Sequence, residues 1–241
     1  MQKVILVSGG TRGIGREAVF LLLQEGHKVA AFSRNGEKTE ALQASLAEKF
    51  SPENFLVLQG DVRNKESLQI VVTKTIAKFS NIDVLLNNAG YGIFASIEDM
   101  NIVEFRDMME TNVIGLAQLT QLVVPYMKKQ KSGLILNIAS VAAKKASSNG
   151  EYYNATKFGL QGYSQGTRLE LKPFGIKVCT VNPGMVRTDF FTEEALKRRC
   201  ENYGLPYPPP LLEAADIAWV ISCVVNQPAH VDVQDIDIMP F

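Results

Sequence analysis

The sequence has too few metal-binding and disulfide-forming residues for several classes of protein. Its three cysteines, Cys179, Cys200 and Cys223, are widely spaced and odd in number, which favours neither a disulfide framework nor a thiolate metal site. Only two histidines occur, His27 and His230, and they lie far apart in the chain. We therefore expect no metal site, and the cysteine usage suits a reducing compartment.

An excess of charge of either sign is also missing. Lysine plus arginine and aspartate plus glutamate number 25 each, so the formal net charge is zero and does not attract nucleic acid or an anionic membrane. The apolar run 4–7 is too short for the core of a signal peptide, and no apolar stretch reaches the roughly 20 residues that span a bilayer. We expect a cytoplasmic protein that binds neither nucleic acid nor membrane.

Short β-branched segments alternate with longer amphipathic segments along all 241 residues. The predicted strands are 4–7, 29–32, 55–58, 84–86, 134–138, 177–181 and 231–238, and the predicted helices are 15–24, 38–49, 65–79, 102–128, 153–171 and 214–225. Apolar strands without alternation are typical of parallel strands buried on both faces. The pattern predicts a single α/β domain over 1–241, a doubly wound, Rossmann-like parallel sheet of about seven strands with helices on both faces.

The segment 190–212 departs from this rhythm. A charged stretch leads into Gly204-Leu205-Pro206-Tyr207-Pro208-Pro209-Pro210. Because proline lacks a backbone donor and fixes φ, this run is predicted to be neither a sheet strand nor a helix interior. It lies beside the strand ends where such sheets bind ligands, so we favour a substrate lid over a stiff connector.

A glycine-rich loop follows the first predicted strand. It contains Gly9, Thr11, Arg12, Gly13, Ile14 and Gly15 and leads into an apolar-periodic helix. Glycines let backbone N–H groups approach a pyrophosphate closely, and the helix presents the positive end of its dipole to the phosphates. The Gly-x-x-x-Gly-x-Gly spacing between a strand and a helix resembles the short-chain dehydrogenase/reductase family.

The choice of nucleotide depends on the end of the second predicted strand. An NAD site requires a carboxylate there to bind the ribose 2′-hydroxyl, whereas this sequence has Ser33 and Arg34, with Arg12 in the glycine loop. Two guanidiniums can pair with a 2′-phosphate, which a carboxylate would repel. The sequence therefore predicts NADP(H) as the cofactor.

The family resemblance implies further cofactor contacts at three strand ends. Asp61, Val62, Asn88, Ala89 and Gly90 match family positions that border the adenine and the ribose, and Pro183, Gly184, Val186 and Thr188 match positions at the nicotinamide end. Each group also has a simpler interpretation as a strand-end turn or a helix cap.

Tyr153 and Lys157 open a predicted helix at a spacing that places both on one helix face. A free phenol titrates near about pH 10, and a nearby ammonium favours the phenolate and lowers its pKa, as acid/base catalysis at neutral pH requires. This spacing alone is common by chance. Ser140, at the end of the fifth predicted strand, can reach a substrate carbonyl near the tyrosine.

The resemblance implies the rest of the catalytic set. Asn112, within the predicted helix 102–128, matches the family's fourth catalytic position, which supports a water-linked proton path to the lysine. Hydride would pass between the nicotinamide and a carbonyl carbon while Ser140 binds the oxygen, Tyr153 transfers its proton and Lys157 contacts the nicotinamide ribose. The predicted activity is the NADP(H)-dependent interconversion of a carbonyl and a secondary alcohol, in a homodimer or homotetramer.

The substrate stays open at this point. The candidate pocket residues are largely apolar and include no evident clamp for a carboxylate or phosphate: Tyr91, Phe94, Val141, Ser147, Met185, Phe190, Phe191, Tyr203 and Tyr207. The final segment 231–241 resembles the ending of the NADP-dependent 3-hydroxy acid and serine dehydrogenase branch. A 3-ketoacyl thioester reductase, a pterin-type carbonyl reductase and a non-catalytic NADPH-binding sensor are the alternatives.

Overall fold

The secondary structure follows the predicted alternation of strands and helices. A computed structural model describes the backbone of residues 1–241 and every side chain except those of Arg199 and Tyr203. The strands are β1 (Val4–Ser8), β2 (Lys28–Ser33), β3 (Phe55–Gln59), β4 (Val84–Asn87), β5 (Gly133–Ile138), β6 (Ile176–Pro183), β7 (Val186–Arg187), β8 (Leu212–Glu213) and β9 (Asp235–Ile238). The helices are α1 (Gly13–Gln24), α2 (Gly36–Ala47), α3 (Lys65–Phe79), α4 (Ile102–Met109), α5 (Gly115–Gln130), α6 (Glu151–Leu171), α7 (Glu193–Tyr203) and α8 (Ala214–Val225).

Seven strands of the described backbone form one parallel sheet in the order β3-β2-β1-β4-β5-β6-β9. The order reverses between β1 and β4, which leaves a crevice at the carboxyl ends of these two strands. β7 and β8 form a separate parallel pair. The prediction of a doubly wound parallel sheet is confirmed.

Helices cover both faces of the sheet. α1, α2 and α8 enclose one hydrophobic core, and α3, α5 and α6 enclose the other. Successive strand residues point to opposite faces, so Ile5 and Val7 enter the first core and Leu6 enters the second. Burial on both faces explains why central strands such as β1 and β4 are largely apolar in sequence, whereas the edge strand β9 alternates exposed aspartate with isoleucine.

The prediction of a single helix over 102–128 is wrong. A π-helical segment, Glu110–Ile114, separates α4 from α5. Its wider turn coincides with Asn112, which is fully buried and whose amide bonds both the backbone of Tyr91 and the hydroxyl of Thr156. Hydrogen bonding to distant parts of the chain therefore interrupts the regular helix.

The predicted last strand, 231–238, is too long. β9 pairs with β6 only over Asp235–Ile238. The backbone N–H of Val231 closes a turn, and that of Val233 donates to the side-chain oxygen of Gln227 at 3.1 Å. These donors are therefore used before the sheet ladder begins.

Helix starts were also predicted too late. α1, α2 and α6 each begin two residues before the predicted position. At α2 the reason is a cap, because the Asn35 side chain accepts a hydrogen bond from the backbone N–H of Lys38 at 2.8 Å. Apolar periodicity marks the buried face of a helix and misses such polar first turns.

The segment 190–212 contains a helix that the sequence analysis did not predict. In α7 the hydroxyl of Thr192 caps the helix by accepting from the N–H of Ala195 at 3.2 Å, and Glu193 and Glu194 lie at its positive end. The proline run that follows has neither helix nor strand until β8 begins, as the missing proline donors predict.

Two features of other protein classes are absent from the part of the chain that the structure describes. No described helix has both the length and the apolar composition to cross a membrane. No three histidine, cysteine or acidic side chains among the described residues are grouped so as to hold a metal ion.

The buried core provides a test of the fold. Leu136, in the middle of β5, is fully buried, and Leu136→Ala should lower the free energy of unfolding by about 2–5 kcal/mol because it leaves a cavity. Leu169 on α6 is 76% exposed, so Leu169→Ala should change it by less than about 0.5 kcal/mol. Urea unfolding followed by circular dichroism measures both variants, and equal losses would contradict this packing.

Candidate active site

A cavity of about 1010 Å³ opens at the carboxyl edge of the sheet. Residues at or just after the ends of β1, β2, β3, β4, β5 and β6 line it. Because parallel strands all end at the same edge, side chains that are far apart in sequence meet here.

This cavity brings together most of the predicted site residues. It is lined by Gly9, Thr11, Arg12, Gly13, Ile14, Ser33, Arg34, Asp61, Val62, Asn88, Ala89, Gly90, Ser140, Tyr153, Lys157, Pro183, Gly184, Val186 and Thr188. Gly15 and Asn112 are not among its lining residues. Both lie directly behind it, since a Cβ on Gly15 would be 2.3 Å from the Gly9 carbonyl oxygen and one on Gly90 would be 3.1 Å from the Asn112 amide oxygen.

The glycine loop has a backbone geometry that favours glycine. Gly9 and Gly13 have φ of +68° and +49°, in the left-handed region that L side chains rarely adopt. The lack of room at Gly15 keeps the loop tight against the first turn of α1. The loop therefore exposes backbone to the cavity at the positive end of that helix, which is the arrangement that binds phosphate groups.

Hydrogen bonds between Ser8 and Asn88 join the ends of β1 and β4. The Ser8 hydroxyl accepts from the backbone N–H groups of Asn88 and Ala89 at 3.0 and 3.1 Å. In return, the Asn88 amide donates to the carbonyl oxygens of Ser8 and Gly9, both at 3.1 Å. These bonds fix the glycine loop against the turn after β4, and this role of Ser8 was not predicted from the sequence.

Cations gather at the end of β2. Arg12, Arg34 and Lys38 line the cavity, and none of the three side chains has a hydrogen bond or ion pair to another described residue. The carboxylate of Asp61, which also lines this part of the cavity, is paired with Arg63 at 2.9 Å. Three cations are thus available to an anion at this end of the cavity, and Lys38 was missed because it reads as an ordinary first-turn lysine.

Tyr153 and Lys157 project from the first turns of α6 towards the same cavity. The Lys157 ammonium lies 5.6 Å from the centre of the Tyr153 ring and donates to the Ile138 carbonyl at 3.1 Å. Both side chains are more than nine-tenths buried. Burial disfavours the charged form and lowers the pKa of Lys157 to about 8.

Ser140 is held between the ends of β5 and β6. Its hydroxyl accepts from the backbone N–H of Ala142 at 3.1 Å, capping the 3₁₀ turn Val141–Ala143, and donates to the Pro183 carbonyl at 3.4 Å. The long second bond leaves the hydroxyl able to donate to another acceptor in the cavity.

Lys144 is a further cavity residue that sequence reasoning missed. Its ammonium pairs with Asp235 and Asp237 of β9 at 2.7 and 2.5 Å. This ion pair ties the segment after Ser140 to the last strand of the sheet. The pairing depends on the tertiary fold, and no spacing in the sequence signals it.

The predicted pocket residues divide into three groups. Those that line the cavity are Tyr91, Phe94, Val141, Ser147, Met185, Phe190 and Phe191. Tyr207 is not among them, since it is 45% exposed and its hydroxyl bonds the Glu193 carboxylate at 3.3 Å. The side chain of Tyr203 lies outside the described residues. From the predicted lid, Phe190, Phe191 and Leu205 reach the cavity.

The family model described as short chain dehydrogenase matches residues 3–199. The chain belongs to this family. The family prediction made from the glycine loop and the Tyr153–Lys157 spacing is confirmed.

Characterised proteins resemble this short-chain dehydrogenase over nearly its full length. The NADP-dependent 3-hydroxy acid dehydrogenase YdfG of Salmonella typhimurium is 31% identical over 98% of this chain and 94% of that protein. The serine 3-dehydrogenase of Agrobacterium fabrum is 31% identical over 100% of this chain and 94% of that protein. The closed form of a serine dehydrogenase complexed with NADP⁺ superposes with a TM-score of 0.88 at 29% identity, covering 98% of this chain and 94% of that one.

Lys157 gives a prediction about stability and pH. Its folded pKa of about 8 lies below the ordinary 10.5, so folding is penalised fully below pH 8 and less as the pH rises from 8 to 10.5. Lys157→Met should therefore raise the free energy of unfolding at pH 7 by up to about 3 kcal/mol, and the gain should shrink towards pH 10.

Urea unfolding at pH 7, 8, 9 and 10 measures this difference. Lys65→Met, which replaces an exposed lysine at the start of α3, is the matched control and should show no such trend. A Lys157→Met variant that is less stable than the native chain by the same amount at every pH would contradict the assignment of the cost to a buried charge.

Proposed function

We propose that the chain is an NADP(H)-dependent oxidoreductase that interconverts a carbonyl and a secondary alcohol, with Tyr153 as its acid/base group. The observation that carries this proposal is one cavity that contains a glycine phosphate loop, unpaired cations at the end of β2, and Ser140, Tyr153 and Lys157. The choice of cofactor is supported by the YdfG relative, which is described as NADP-dependent, and by the serine dehydrogenase structure, which contains NADP⁺.

The residues present fit a dinucleotide. The left-handed glycines and the lack of room for a Cβ at Gly15 provide a cradle for the pyrophosphate, and the cations beside Ser33 suit a 2′-phosphate. Asp61, Val62, Asn88, Ala89 and Gly90 would border the adenine and ribose, and Pro183, Gly184, Val186 and Thr188 the nicotinamide end. When bound, the cofactor would donate a hydride in carbonyl reduction and accept one in alcohol oxidation.

Each catalytic side chain has a role that its position allows. Ser140 donates a hydrogen bond to the substrate oxygen and stabilises negative charge as it develops there. Tyr153 gives that oxygen its proton in reduction and removes it in oxidation. Lys157 places an ammonium near the phenol, which favours the ionised form of the phenol, and it would contact the nicotinamide ribose of a bound cofactor.

Asn112 acts from behind the cavity. Its amide oxygen accepts from the Tyr91 N–H at 3.0 Å, and its amide nitrogen donates to the Tyr91 carbonyl at 2.8 Å and to the Thr156 hydroxyl at 3.1 Å. It thereby connects the turn after β4 to the helix turn that carries Tyr153 and Lys157. We assign it this positioning role beside the proton path that the family resemblance implies.

The rest of the proposal concerns the molecule as a whole. Residues 1–241 form one catalytic domain, because β9 near the C-terminus completes the same sheet as β1. The exposed apolar side chains of Ile114 and Phe158, beside Asn112 and on the helix of Tyr153, suit a homodimer or homotetramer in the cytoplasm. The substrate is a small carbonyl compound or alcohol.

The tyrosine assignment predicts a specific loss. Tyr153→Phe removes the proton donor but keeps the ring, so turnover should fall at least about 10²-fold while the NADPH dissociation constant changes by less than about threefold. NADPH oxidation against ketones, 3-keto acids and 3-ketoacyl thioesters measures turnover, and NADPH fluorescence measures binding.

Tyr152→Phe is the matched control for this variant. The Tyr152 hydroxyl bonds the Ile97 carbonyl at 3.1 Å and its ring packs on Phe105, outside the catalytic set. Near-normal turnover by Tyr153→Phe would contradict the assignment of Tyr153 as the acid/base group. NADPH binding by the native chain without turnover of any carbonyl would instead favour a sensor.

The cations predict nucleotide selectivity. Arg34→Ala should lower kcat/KM for NADPH by roughly 10- to 100-fold, because a charge-assisted hydrogen bond is lost, and should leave NADH within about threefold. Arg16→Ala is the control, since Arg16 pairs with Glu17 and stacks on Phe20. An equal decrease in kcat/KM with NADPH and with NADH would show that Arg34 does not bind the 2′-phosphate.

A further inference from the structure

Three phenylalanines from two distant parts of the chain form one cluster with the ring of Tyr153. Phe94, in the loop after β4, and Phe190, after β7, lie 5.3 and 5.6 Å from the Tyr153 ring centre. Phe191 contacts both phenylalanines, at 5.2 Å from Phe94 and 5.0 Å from Phe190. These distances and the tilted or edge-to-face angles are those of favourable aromatic packing. The four residues are called the ring cluster below.

The backbone at Gly92 makes room for the ring cluster. A Cβ on Gly92 would lie 2.8 Å from the Phe190 ring, 3.0 Å from that of Tyr153 and 3.1 Å from that of Phe94. Any side chain there would push the rings apart. The absence of a side chain at this position lets three rings converge on one point of the backbone.

The ring cluster faces the cavity at the place where the proposed chemistry occurs. All four rings are among its lining residues, together with Ser140. Apolar side chains continue this wall, among them Met185, Met239 and Pro240. A substrate whose oxygen reaches Ser140 and Tyr153 therefore meets aromatic carbon on the adjoining side.

Among the described side chains, the charges at this end of the cavity do not form a buried binding site for an anion. The ammonium of Lys144 is compensated by the carboxylates of Asp235 and Asp237. Lys145 lines the cavity but is exposed, where water weakens its attraction for an anion. The aromatic wall is therefore the stronger determinant of what binds beside Tyr153.

We propose that the ring cluster is the substrate's apolar subsite, and that the chain prefers uncharged ketones bearing an aryl or branched alkyl group near the carbonyl, with the corresponding alcohols. This proposal rests on the proposed function and names its substrate class. Such a group gains burial against Phe94 and Phe190, whereas a carboxylate in the same place loses hydration, and no buried cation among the described side chains contacts these two rings. The class differs from the 3-hydroxy acid and serine named for the relatives.

A matched substrate series tests the proposal. Butan-2-one, 4-phenylbutan-2-one and 4-oxopentanoate share a methyl ketone and differ in carrying hydrogen, phenyl or carboxylate at one carbon, and 3-oxobutanoate represents the keto acids. We expect kcat/KM for 4-phenylbutan-2-one to exceed that for butan-2-one at least about tenfold, and to exceed the kcat/KM values for both acids. NADPH oxidation gives kcat/KM, and NADPH fluorescence gives cofactor binding independently of substrate.

Variants then locate the preference in the ring cluster. Phe190→Ala should reduce the ratio of kcat/KM for 4-phenylbutan-2-one to kcat/KM for butan-2-one at least about fivefold. Phe190→Leu, which keeps an apolar side chain, should reduce this ratio less. Tyr207→Ala removes an exposed ring from the same segment and should leave the ratio unchanged. Thermal unfolding and NADPH binding of each variant establish that it is folded.

The outcomes separate the subsite from the activity. A ratio unaffected by Phe190→Ala, or a preference for the acids that Lys145→Met abolishes, would overturn the apolar subsite and leave the oxidoreductase intact. NADPH binding with no turnover of any member of the series or of the wider carbonyl panel would overturn the proposed function itself, and the subsite with it.

Discussion

The close approach of β1 and β4 is the constraint on which the site depends. These strands lie where the sheet order reverses, so their connections diverge and leave a crevice between the two ends. The Ser8 hydroxyl and the Asn88 amide close the base of this crevice with four hydrogen bonds. Leaving such partly buried donors unpaired is costly, so the glycine loop and the turn after β4 hold one arrangement. Everything that binds above them depends on that arrangement.

The buried lysine at the proposed catalytic end of the cavity lowers the stability of the fold. Lys157 is buried beside Tyr153, and its one hydrogen bond in the described structure runs to the Ile138 carbonyl. That bond offsets only part of the desolvation of an ammonium, which is why its pKa falls to about 8. The two apolar cores supply the free energy that keeps this group in place. Residues retained at a cost to stability are typical of sites under functional constraint.

The sequence contains local signals for most of the fold and for the ends of the site. Apolar runs indicated six strands of the main sheet and the alternating segment 231–238 indicated the seventh, while glycine spacing and the family resemblance around Tyr153 and Lys157 indicated the two proposed chemical centres. The features that could not be predicted from the sequence depend on tertiary contacts. The π-helical segment forms because Asn112 bonds the distant Tyr91 backbone, and β9 begins late because the Gln227 side chain takes a backbone donor. Neither partner is recognisable before the chain is folded.

The ring cluster could not be predicted from the sequence for the same reason, because its side chains meet only in the folded chain. Its position on loops explains why substrate preference and catalytic chemistry can vary separately. The groups that we propose bind cofactor and transfer protons lie at strand ends and on α6, which the sheet fixes. Phe94 and Phe190 instead belong to loops, whose backbone is less constrained by the core. Changing these loops can exchange one substrate wall for another without moving Ser140 or Tyr153. Proteins that share this fold can therefore act on different substrates, and the substrate must be inferred from loop side chains rather than from the family.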